Sequence, residues 1–439
     1  MLFRSIPIQG RELSAYGLFS SFPHHFSAIL EDPSGNGRQH LSSRAGLHHS
    51  LDELNSGSNP EAYFAELKKK LHGSHQDTPA IRCLLYASYE AGNLLEQLPE
   101  PVEQPPVTVL QAFFPDYSVC IDADAGMVYL AASDKKQLDF LLSFIAEKIR
   151  KPACEELHVL HQDIHVTSSN KYKKHVSKVR KYIAAGDIFQ ANIARFWQTP
   201  FQADQLYCLY DQLRRVNPAP FSCMARIESK RGVMHLLSAS PERLFRMQPD
   251  AEVDTRPIAG TRRRGEGDDD EVLSAELLLS EKERAEHIML VDLERNDLGR
   301  VCQPGSVEVN ERMAIERYAT VQHIVSNVRG KLAVDRDVID VFRAMFPGGT
   351  ITGCPKIRCM EIIHELEQQP RGPYTGSIGY VGWDGSADMN ILIRTFWHHD
   401  GQLHWAAGAG IVSDSDPEHE LIETEHKAEG LMRALFRNH

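Results

Sequence analysis

The sequence of 439 residues has no run of about 20 consecutive apolar residues, the length that a membrane-spanning helix needs. Residues 1–7 show no apolar core followed by a small-residue cleavage site, so we expect no signal peptide. Basic residues are also fewer than acidic ones, with 48 Lys and Arg against 60 Asp and Glu, which gives a net charge of −12. We therefore predict neither a nucleic acid nor an anionic membrane as a partner.

None of the eight cysteines belongs to a Cys-x-x-Cys pair, which argues against a zinc cluster. Scattered cysteines in a chain of this length are typical of reduced, mostly buried thiols, and we expect a cytoplasmic protein. The sequence also lacks the G-x-S-x-G and G-x-C-x-G nucleophile elbows and the H-E-x-x-H zinc motif. These absences argue against a serine hydrolase, an elbow-type cysteine nucleophile and a zinc protease.

The apolar share of 42% and the charged share of 25% are ordinary for a folded protein. Residues 1–165 are irregular and rich in His and Pro, and we expect them to pack on the rest as an N-terminal segment. Residues 166–439 hold dense patterned segments and form the predicted catalytic region. Runs of strands with isolated helices between them indicate an α+β architecture, a mixed sheet with helices on its outer faces.

Two predicted helices have clear starts. A capping box at Ser280 and Glu283 opens a helix over 281–295. Asp416 caps a second helix, which proline opens and which runs over 417–436. Both helices are of ordinary length, and each carries a pair of glutamates near its start.

The glutamate pairs are Glu283 with Glu286 and Glu420 with Glu423. A spacing of three residues puts both carboxylates of a pair on one helix face. If the two faces met, four carboxylates would need a hard divalent cation such as Mg²⁺ to neutralise them. The alternative is two solvated helix faces, the usual setting of glutamate, and the spacing alone does not decide between them.

A polar pattern over 388–397 predicts one strand, with Asn390 and Arg394 on the same side. The apolar neighbours of Arg394 indicate a partly buried guanidinium. Such a group binds a planar carboxylate through two parallel hydrogen bonds. The partner is either a substrate carboxylate or an internal residue, for instance Asp292 or Asp297.

Two glycine-rich segments could approach a ligand through their backbone. Residues 346–356 lead into a helix N-terminus, where free N–H groups favour an anion, although the P-loop spacing is absent. Residues 407–410, an Ala-Gly-Ala-Gly sequence, follow a predicted strand over 402–407. Tight packing would explain both segments equally well.

Single groups could move a proton. Glu242 ends a predicted strand within Ser-Pro-Glu-Arg and could act as a general acid. Residues 256–261 form a turn that ends at Gly260 and Thr261, with a free hydroxyl. His323 lies in an apolar stretch, where it is either an acid–base group or a satisfied core histidine.

Taken together, these segments resemble the chorismate-utilising enzymes, a family that includes anthranilate, aminodeoxychorismate, isochorismate and salicylate synthases. The matching motifs span about 170–435 in consistent order and spacing. They are Ser240–Arg243, Arg256–Thr261, Glu283–His287, Arg295–Arg300, Pro347–Lys356, Gly372–Gly376, Gly408–Gly410 and Glu423-Thr424. The resemblance implies two large antiparallel sheets packed face to face with helices on the outer faces.

The resemblance also implies roles for the site residues. The implied Mg²⁺ ligands are Glu286 and Glu423, with Glu283 and Glu420 as outer partners and Lys427 beside them. The implied substrate clamp consists of Tyr374, Arg394 and the backbone of Gly408, Ala409 and Gly410, and Gly260 and Thr261 line the ring pocket. Glu242 resembles the general acid that helps the C4 hydroxyl of chorismate leave, and His323 the active-site histidine.

Two positions discriminate between members of the family. Members that add water have a lysine base where this chain has Gln190, on a predicted strand over 188–197. Glutamine cannot deprotonate water, so the resemblance implies that ammonia is the nucleophile and that Gln190 belongs to the catalytic set. Many aminodeoxychorismate synthases have a nucleophilic lysine where this chain has Ala259, and alanine there favours anthranilate synthase.

Other segments favour aminodeoxychorismate synthase component I, which is our predicted function. Residues 217–222 and 186–192 resemble the para-aminobenzoate branch, and the tryptophan-binding element of anthranilate synthases is altered at 28–32. We expect chorismate as substrate and ammonia from a separate glutamine amidotransferase subunit. The alternatives are anthranilate synthase component I and a non-catalytic regulator built on the same scaffold.

Overall fold

The computed structural model describes residues 1–8, 13–33, 37–52, 59–73, 75–99, 103–105, 107–146, 157, 159, 161–263, 268–317 and 321–436. The helices in these ranges are α1 Ala15–Ser21, α2 Pro60–Leu71, α3 Lys135–Ala146, α4 Ser169–Ala184, α5 Leu206–Val216, α6 Asp268–Leu279, α7 Glu281–Gly299, α8 Val338–Met345, α9 Lys356–Glu367 and α10 Pro417–Leu435. The first strands are β1 Leu2–Pro7, β2 Phe26–Glu31, β3 Arg38–Ser43, β4 Gly46–Leu51, β5 Ile81–Ala87, β6 Leu110–Pro115, β7 Tyr117–Asp122, β8 Met127–Ala132, β9 His165–Val166, β10 Gln190–Pro200 and β11 Phe221–Ser229. The remaining strands are β12 Gly232–Ser240, β13 Arg243–Met247, β14 Glu252–Thr255, β15 Ile258–Arg263, β16 Glu308–Arg317, β17 Val321–Lys331, β18 Gly353–Cys354, β19 Ser377–Gly382, β20 Ala387–Asn390, β21 Thr395–His399 and β22 Gln402–Ile411.

The strands form two large sheets in which neighbouring strands run antiparallel. The larger sheet has 12 strands in the order β1-β8-β7-β3-β2-β11-β12-β21-β22-β10-β18, with β9 also on β10. The smaller sheet has ten strands in the order β15-β17-β14-β13-β20-β19-β5-β6-β4, with β16 also on β17.

The core between the sheets is apolar on both sides. Leu236 and Trp397 of the larger sheet lie in one buried cluster with Leu84 and Ile378 of the smaller sheet. A second cluster joins the larger sheet to α1, α3, α5 and α10, and a third joins the smaller sheet to α2, α7 and α8. The predicted architecture, two antiparallel sheets packed face to face with helices outside, is therefore confirmed.

Strands from residues 1–165 lie in both sheets beside strands from the rest of the chain. In the larger sheet β2 pairs with β11, and in the smaller sheet β5 pairs with β19. Each sheet is thus continuous across residue 165, and residues 1–165 supply strands to its interior.

The two glutamate-bearing helices begin where their caps predict. The Ser280 side chain accepts a 3.3 Å hydrogen bond from the Glu283 N–H, and α7 extends to Gly299, beyond the predicted end at 295. The Asp416 side chain accepts from the N–H groups of Glu418 and His419, and α10 ends one residue before the predicted end.

Two strand predictions near the site are wrong. The predicted strand over 388–397 is interrupted after Asn390, and the chain crosses at 391–394 from the smaller sheet to the larger one. Asn390 and Arg394 therefore do not share a strand face. The buried Ile391 and Leu392 imitate strand alternation, but their N–H groups bond to the carbonyls of Glu242 and Gly376 across the crossing.

The second error concerns residues 407–410, which do not follow β22 but form part of it. They pair with β10 in the register Gly410 to Asn192 and Gly408 to Ala194. Residues 407–410 are thus strand residues, and their small side chains allow another group to approach the backbone.

The described cysteines, all except Cys154, are free thiols, as the sequence predicts. Among the described residues we find no helix with the length and apolar character needed to cross a membrane.

Candidate active site

A contact between β10 and α7 defines one end of the site. The Gln190 side-chain amide donates a 2.8 Å hydrogen bond to Glu286 Oε1. Gln190 pairs with Cys354 of β18, and Gly410 lies beside the Gln190 side chain. A Cβ added to Gly410 would lie 2.2 Å from Gln190 Nε2, so only glycine leaves room for this hydrogen bond.

Carboxylates from α7 and α10 converge on Glu286. Burial is the main cause that raises the pKa of Glu286, and the charges of Glu283 and Glu423 raise it further. The hydrogen bond from Gln190 and the charge of Lys427 oppose this rise. Glu423 of α10 is therefore within electrostatic reach of Glu286 on α7, and we call Glu283, Glu286 and Glu423 the carboxylate cluster.

Lys427 is the cation at the edge of this cluster. Its ammonium lies 2.7 Å from Glu423 Oε1 and donates a 3.0 Å hydrogen bond to the Gly408 carbonyl. Both side chains of the ion pair are about half exposed, so the pair itself contributes little to stability. Its charge also acts on Glu242, which connects the carboxylate cluster to the general-acid candidate.

The carboxylate cluster suits a hard cation chemically, because all its donors are carboxylate oxygens in mutual repulsion. Glu283 lies against the strand turn at Gly260, where an added Cβ would be 2.7 Å from Glu283 Oε2. Glu420 is buried, and its charge adds to the effect of burial in raising the pKa of Tyr172. Across the described residues, no three His, Cys, Asp or Glu side chains are grouped closely enough to hold an ion by themselves. A bound cation would thus complete its shell with oxygens of substrate or water.

Glu242 is a buried carboxyl group between β12 and β13. Burial raises its pKa to about 7, against the polar side chain of Thr350 and the charges of Lys427 and Arg394. A carboxyl group with this pKa holds a proton near neutral pH and can donate it during a reaction. The general-acid prediction is therefore compatible with the environment of Glu242.

Gly408 separates two polar side chains. A Cβ added there would lie 2.8 Å from Tyr374 Oη and 2.5 Å from Asn192 Oδ1. Burial raises the pKa of Tyr374, so its phenol stays neutral and can donate a hydrogen bond. Ala409 faces the opposite side of β22, in a core cluster with Ile193.

His323 and Arg394 lie on the side of the site toward the smaller sheet. His323 pairs with Thr261 across β15 and β17, and burial followed by the charge of Arg394 lowers its pKa to about 4. It is therefore a neutral imidazole at physiological pH. The side chains of Ala259 and Thr261 lie outside the described part of the chain, so their roles stay predictions.

Arg394 has a left-handed backbone, with φ of +51°, and its carbonyl accepts a hydrogen bond from the Ala239 N–H. Its charge acts on both Glu242 and His323. The two internal partners considered from the sequence are engaged elsewhere, because Asp292 binds Arg295 and Asp297 binds Lys356.

Sequence reasoning missed Arg371, a fully buried guanidinium behind the clamp. It pairs with Glu367 through bonds of 2.9 and 2.7 Å and donates a 2.7 Å bond to the Asn192 carbonyl. Its guanidinium also lies 5.7 Å from the Tyr374 ring centre. Its position directly before the motif 372–376 is the signal that could have indicated it.

Comparison with known proteins gives a match to the family described as chorismate binding enzyme over residues 29–433. An anthranilate synthase component I-like protein of Synechocystis sp. is 44% identical over 80% of this chain and 72% of its own length. Aminodeoxychorismate synthase component 1 of Bacillus subtilis is 50% identical over 60% of this chain, which covers only 55% of that relative. Anthranilate synthase component 1 of Saccharolobus solfataricus is 41% identical over 80% of this chain and 79% of its own length.

Solved structures agree with this assignment. Anthranilate synthase component I from Streptococcus pneumoniae superposes with a TM-score of 0.76 at 28% identity, over 90% of this chain and 92% of that one. The menaquinone-specific isochorismate synthase from Escherichia coli, at 19% identity, shares the fold with a TM-score of 0.73 over 99% and 94%. With a match that covers most of its length and relatives above 40% identity, this chain belongs to the chorismate-binding enzymes, which use chorismate as substrate.

Proposed function

We propose that this chorismate-utilising enzyme is aminodeoxychorismate synthase component I, which aminates chorismate with ammonia to 4-amino-4-deoxychorismate for para-aminobenzoate and folate synthesis. The observation that carries amination is the Gln190 side chain held 2.8 Å from Glu286. An amide cannot deprotonate water, so the position at which water-adding members have a lysine base offers no base here. Ammonia needs none, because its lone pair is free to attack.

The described residues provide the remaining parts of such a reaction. Glu242 donates a proton to the C4 hydroxyl as it leaves, which its pKa of about 7 permits. Tyr374 and Arg394, with the backbone at Gly408 and Gly410, orient the enolpyruvyl carboxylate.

Glu286 and Glu423 would hold Mg²⁺, with Glu283 and Glu420 behind them. When bound, the ion would supply positive charge that neutralises these carboxylates and attracts the ring carboxylate of chorismate. Burial and then the carboxylate neighbours raise the pKa of Glu286, which supports this assignment because a cation would relieve the repulsion between the carboxylates.

Amination at C4 is supported by the segments that resemble the para-aminobenzoate branch and by the relative from Bacillus subtilis. The altered element at 28–32 gives further support. Glu31 accepts two bonds from Arg214, at 2.9 and 3.0 Å, and one of 2.8 Å from Tyr210. Its carboxylate is therefore committed to an internal ion pair rather than to an amino-acid ligand.

Anthranilate synthase component I is the second candidate, and Ala259 favours it. Without a lysine at that position, no covalent adduct forms at C2, and ammonia itself would add there before pyruvate leaves. The relatives from Synechocystis and Saccharolobus carry anthranilate synthase names, which supports the same alternative.

In either case we propose that a separate glutamine amidotransferase supplies the ammonia. The names of the relatives, component I or component 1, support a two-component system. We expect turnover with ammonium salts alone, and no turnover with glutamine until that second component is added.

Product identification tests the proposal. The protein is incubated with chorismate, Mg²⁺ and ammonium at alkaline pH, with and without aminodeoxychorismate lyase, and products are separated by liquid chromatography and mass spectrometry. An aminated chorismate that becomes para-aminobenzoate only with the lyase supports amination at C4. Fluorescent anthranilate formed without the lyase supports the second candidate and overturns the first.

A further inference from the structure

We propose that Glu294, a residue of α7 outside the carboxylate cluster, supplies the proton that regenerates Glu242 after each turnover. The inference rests on the proposed function, in which Glu242 is the general acid. Glu294 would be a positioning residue that acts through Glu242 and does not touch the substrate.

Glu294 and Glu242 lie on either side of one turn, over 349–351. A Cβ added to Gly349 would be 3.3 Å from Glu294 Oε1. One added to Gly348, directly before the turn, would be 2.7 Å from the side chain of Ile391, whose N–H bonds to the Glu242 carbonyl. Glu294 is 4% exposed and Glu242 is 7% exposed. Both carboxyl groups are thus buried beside the same turn, and the charge of Glu242 acts on Glu294.

The surroundings of Glu294 favour a neutral, proton-carrying carboxyl group. Burial raises its pKa, as do the charges of Asp297 and Glu242, while the charge of Lys356 and a hydrogen bond from Thr255 lower it. Its Oε2 atom has no hydrogen-bond partner among the described residues. An ionised oxygen buried in this way would be costly, whereas a protonated one is tolerated.

Titratable and charged groups extend from Glu294 toward the protein surface. Lys356 of α9 binds Asp297 Oδ2 at 2.6 Å, and Asp297 lies three residues from Glu294 on the same helix. The pKa of Asp297 is in turn affected by Arg300 and Glu96, and the Arg300 side chain is half exposed. On its other side Glu242 faces Lys427 of α10 and Arg394 of the crossing.

The proton count of the reaction closes with such a supply. The new C–N bond to ammonia forms and the C4–O bond breaks, while the Glu242 O–H bond breaks and the departing hydroxide leaves as water. The attached nitrogen then releases one proton. Glu242 is left as a carboxylate, takes a proton from Glu294, and Glu294 recovers one from solvent through Asp297.

The variant Glu294→Gln tests the proposal, because it keeps the shape of the side chain and removes its proton. We expect kcat for amination to fall at least tenfold above pH 7, where solvent protons are scarce, with the KM for chorismate unchanged. Asp292→Asn is the matched control, an exposed carboxylate of the same helix that is bonded to Arg295. Its kcat and pH profile should match those of the wild type.

Glu294→Ala separates proton supply from structure. It opens space for a small acid, so formic acid should restore its kcat with saturation and should not restore that of Glu294→Gln. A wild-type pH profile for Glu294→Gln overturns the proposal. A loss of kcat together with a raised KM and no rescue by formic acid also overturns it, since that result indicates a structural role.

Infrared titration provides a readout without turnover. A protonated-carboxyl band present at pH 7 in the wild type and missing from Glu294→Gln supports the stored proton. Glu294 ionised at pH 7 overturns the proposal, even if amination is found. A wild-type protein that forms no aminated product overturns the proposed function instead, and this is a separate measurement.

Discussion

Gln190 donates its side-chain amide to Glu286 Oε1 over 2.8 Å, which connects the first residue of β10 to the carboxylate cluster. The contact joins the residue that we propose determines the nucleophile to a proposed ligand of the ion. A change at one position is therefore expected to affect the chemistry at the other.

Replacement of Gln190 by lysine should admit water as a nucleophile. The new amine would lie beside Glu286 in place of the amide, where it can act as a base toward water bound near the ring. We expect isochorismate among the products, detected by mass spectrometry. Gln190→Met, which has similar length and no titratable group, should form none, and a Gln190→Lys product set without isochorismate contradicts our interpretation of this position.

Glu286→Gln should abolish Mg²⁺-dependent turnover. The amide keeps the size of the side chain but removes a charged oxygen ligand, so both affinity for the ion and activity should drop by at least tenfold, as is typical when a metal site loses a ligand or its support. Titration of activity with Mg²⁺ measures the effect. Glu281→Gln, at the exposed start of the same helix, is the control, and full activity of Glu286→Gln would rule out the metal assignment.

The pH dependence of turnover should reflect Glu242. Because a general acid must be protonated, kcat should fall as pH rises through about 7, the pKa of this carboxyl group. The measurement needs a fixed concentration of unprotonated ammonia at each pH, since ammonium also titrates. Glu242→Gln should lose activity at every pH, and an unchanged basic limb in an active Glu242→Gln enzyme would remove Glu242 from this role.

Ionisation of Glu242 should also lower the free energy of unfolding at alkaline pH. Its pKa is raised from 4.5 to about 7 in the folded protein, so the folded state binds this proton more tightly than the unfolded state. The favourable contribution is complete below pH 4.5 and is lost as pH rises to about 7. The free energy of unfolding of Glu242→Gln should therefore be ~3 kcal/mol higher than that of the wild type at pH 8, and nearly equal to it at pH 4.5. Urea unfolding at the two pH values measures this difference, and an equal effect at both contradicts it.

Gly410→Ala should disrupt the contact between Gln190 and Glu286. The added methyl group would be 2.2 Å from Gln190 Nε2, so the amide must move. We expect kcat/KM for chorismate to fall by at least tenfold, about 1.4 kcal/mol. Gly299→Ala is the control, because its added Cβ meets no atom within 4 Å and lies at the end of α7, where alanine should stabilise by ~0.5–1 kcal/mol. Equal kinetics for the two variants would contradict the crowding argument.

The motifs predicted the two glutamate helices and their caps because capping is local, decided within four residues at Ser280 and Asp416. Spacing alone could not show that the two helix faces meet. How near α7 and α10 lie depends on which strands position them, a long-range property, and the charge of Glu423 on α10 raises the pKa of Glu286 on α7 after burial and the charge of Glu283.

Local patterns failed where the chain leaves a sheet. Over 391–394 buried apolar residues imitate a strand, and only the backbone partners of Ile391 and Leu392, which lie in distant turns, reveal the crossing. Arg371 and Glu294 were missed for a related reason. A buried charge is recognised by its partners, and those come from segments far apart in the sequence.

The insertion of early strands into both sheets also has a consequence for synthesis of the chain. Tyr86 of β5 pairs with Ile378 of β19, so β5 emerges from the ribosome long before its partner exists. At about 5–20 residues per second the delay is on the order of 15–60 s. During that time a mostly apolar strand, buried at every position in the finished protein, has one hydrogen-bonding edge unpaired. The nascent chain is thus exposed to aggregation until its last third is made, and its yield in the cell should depend on chaperones that shield such edges.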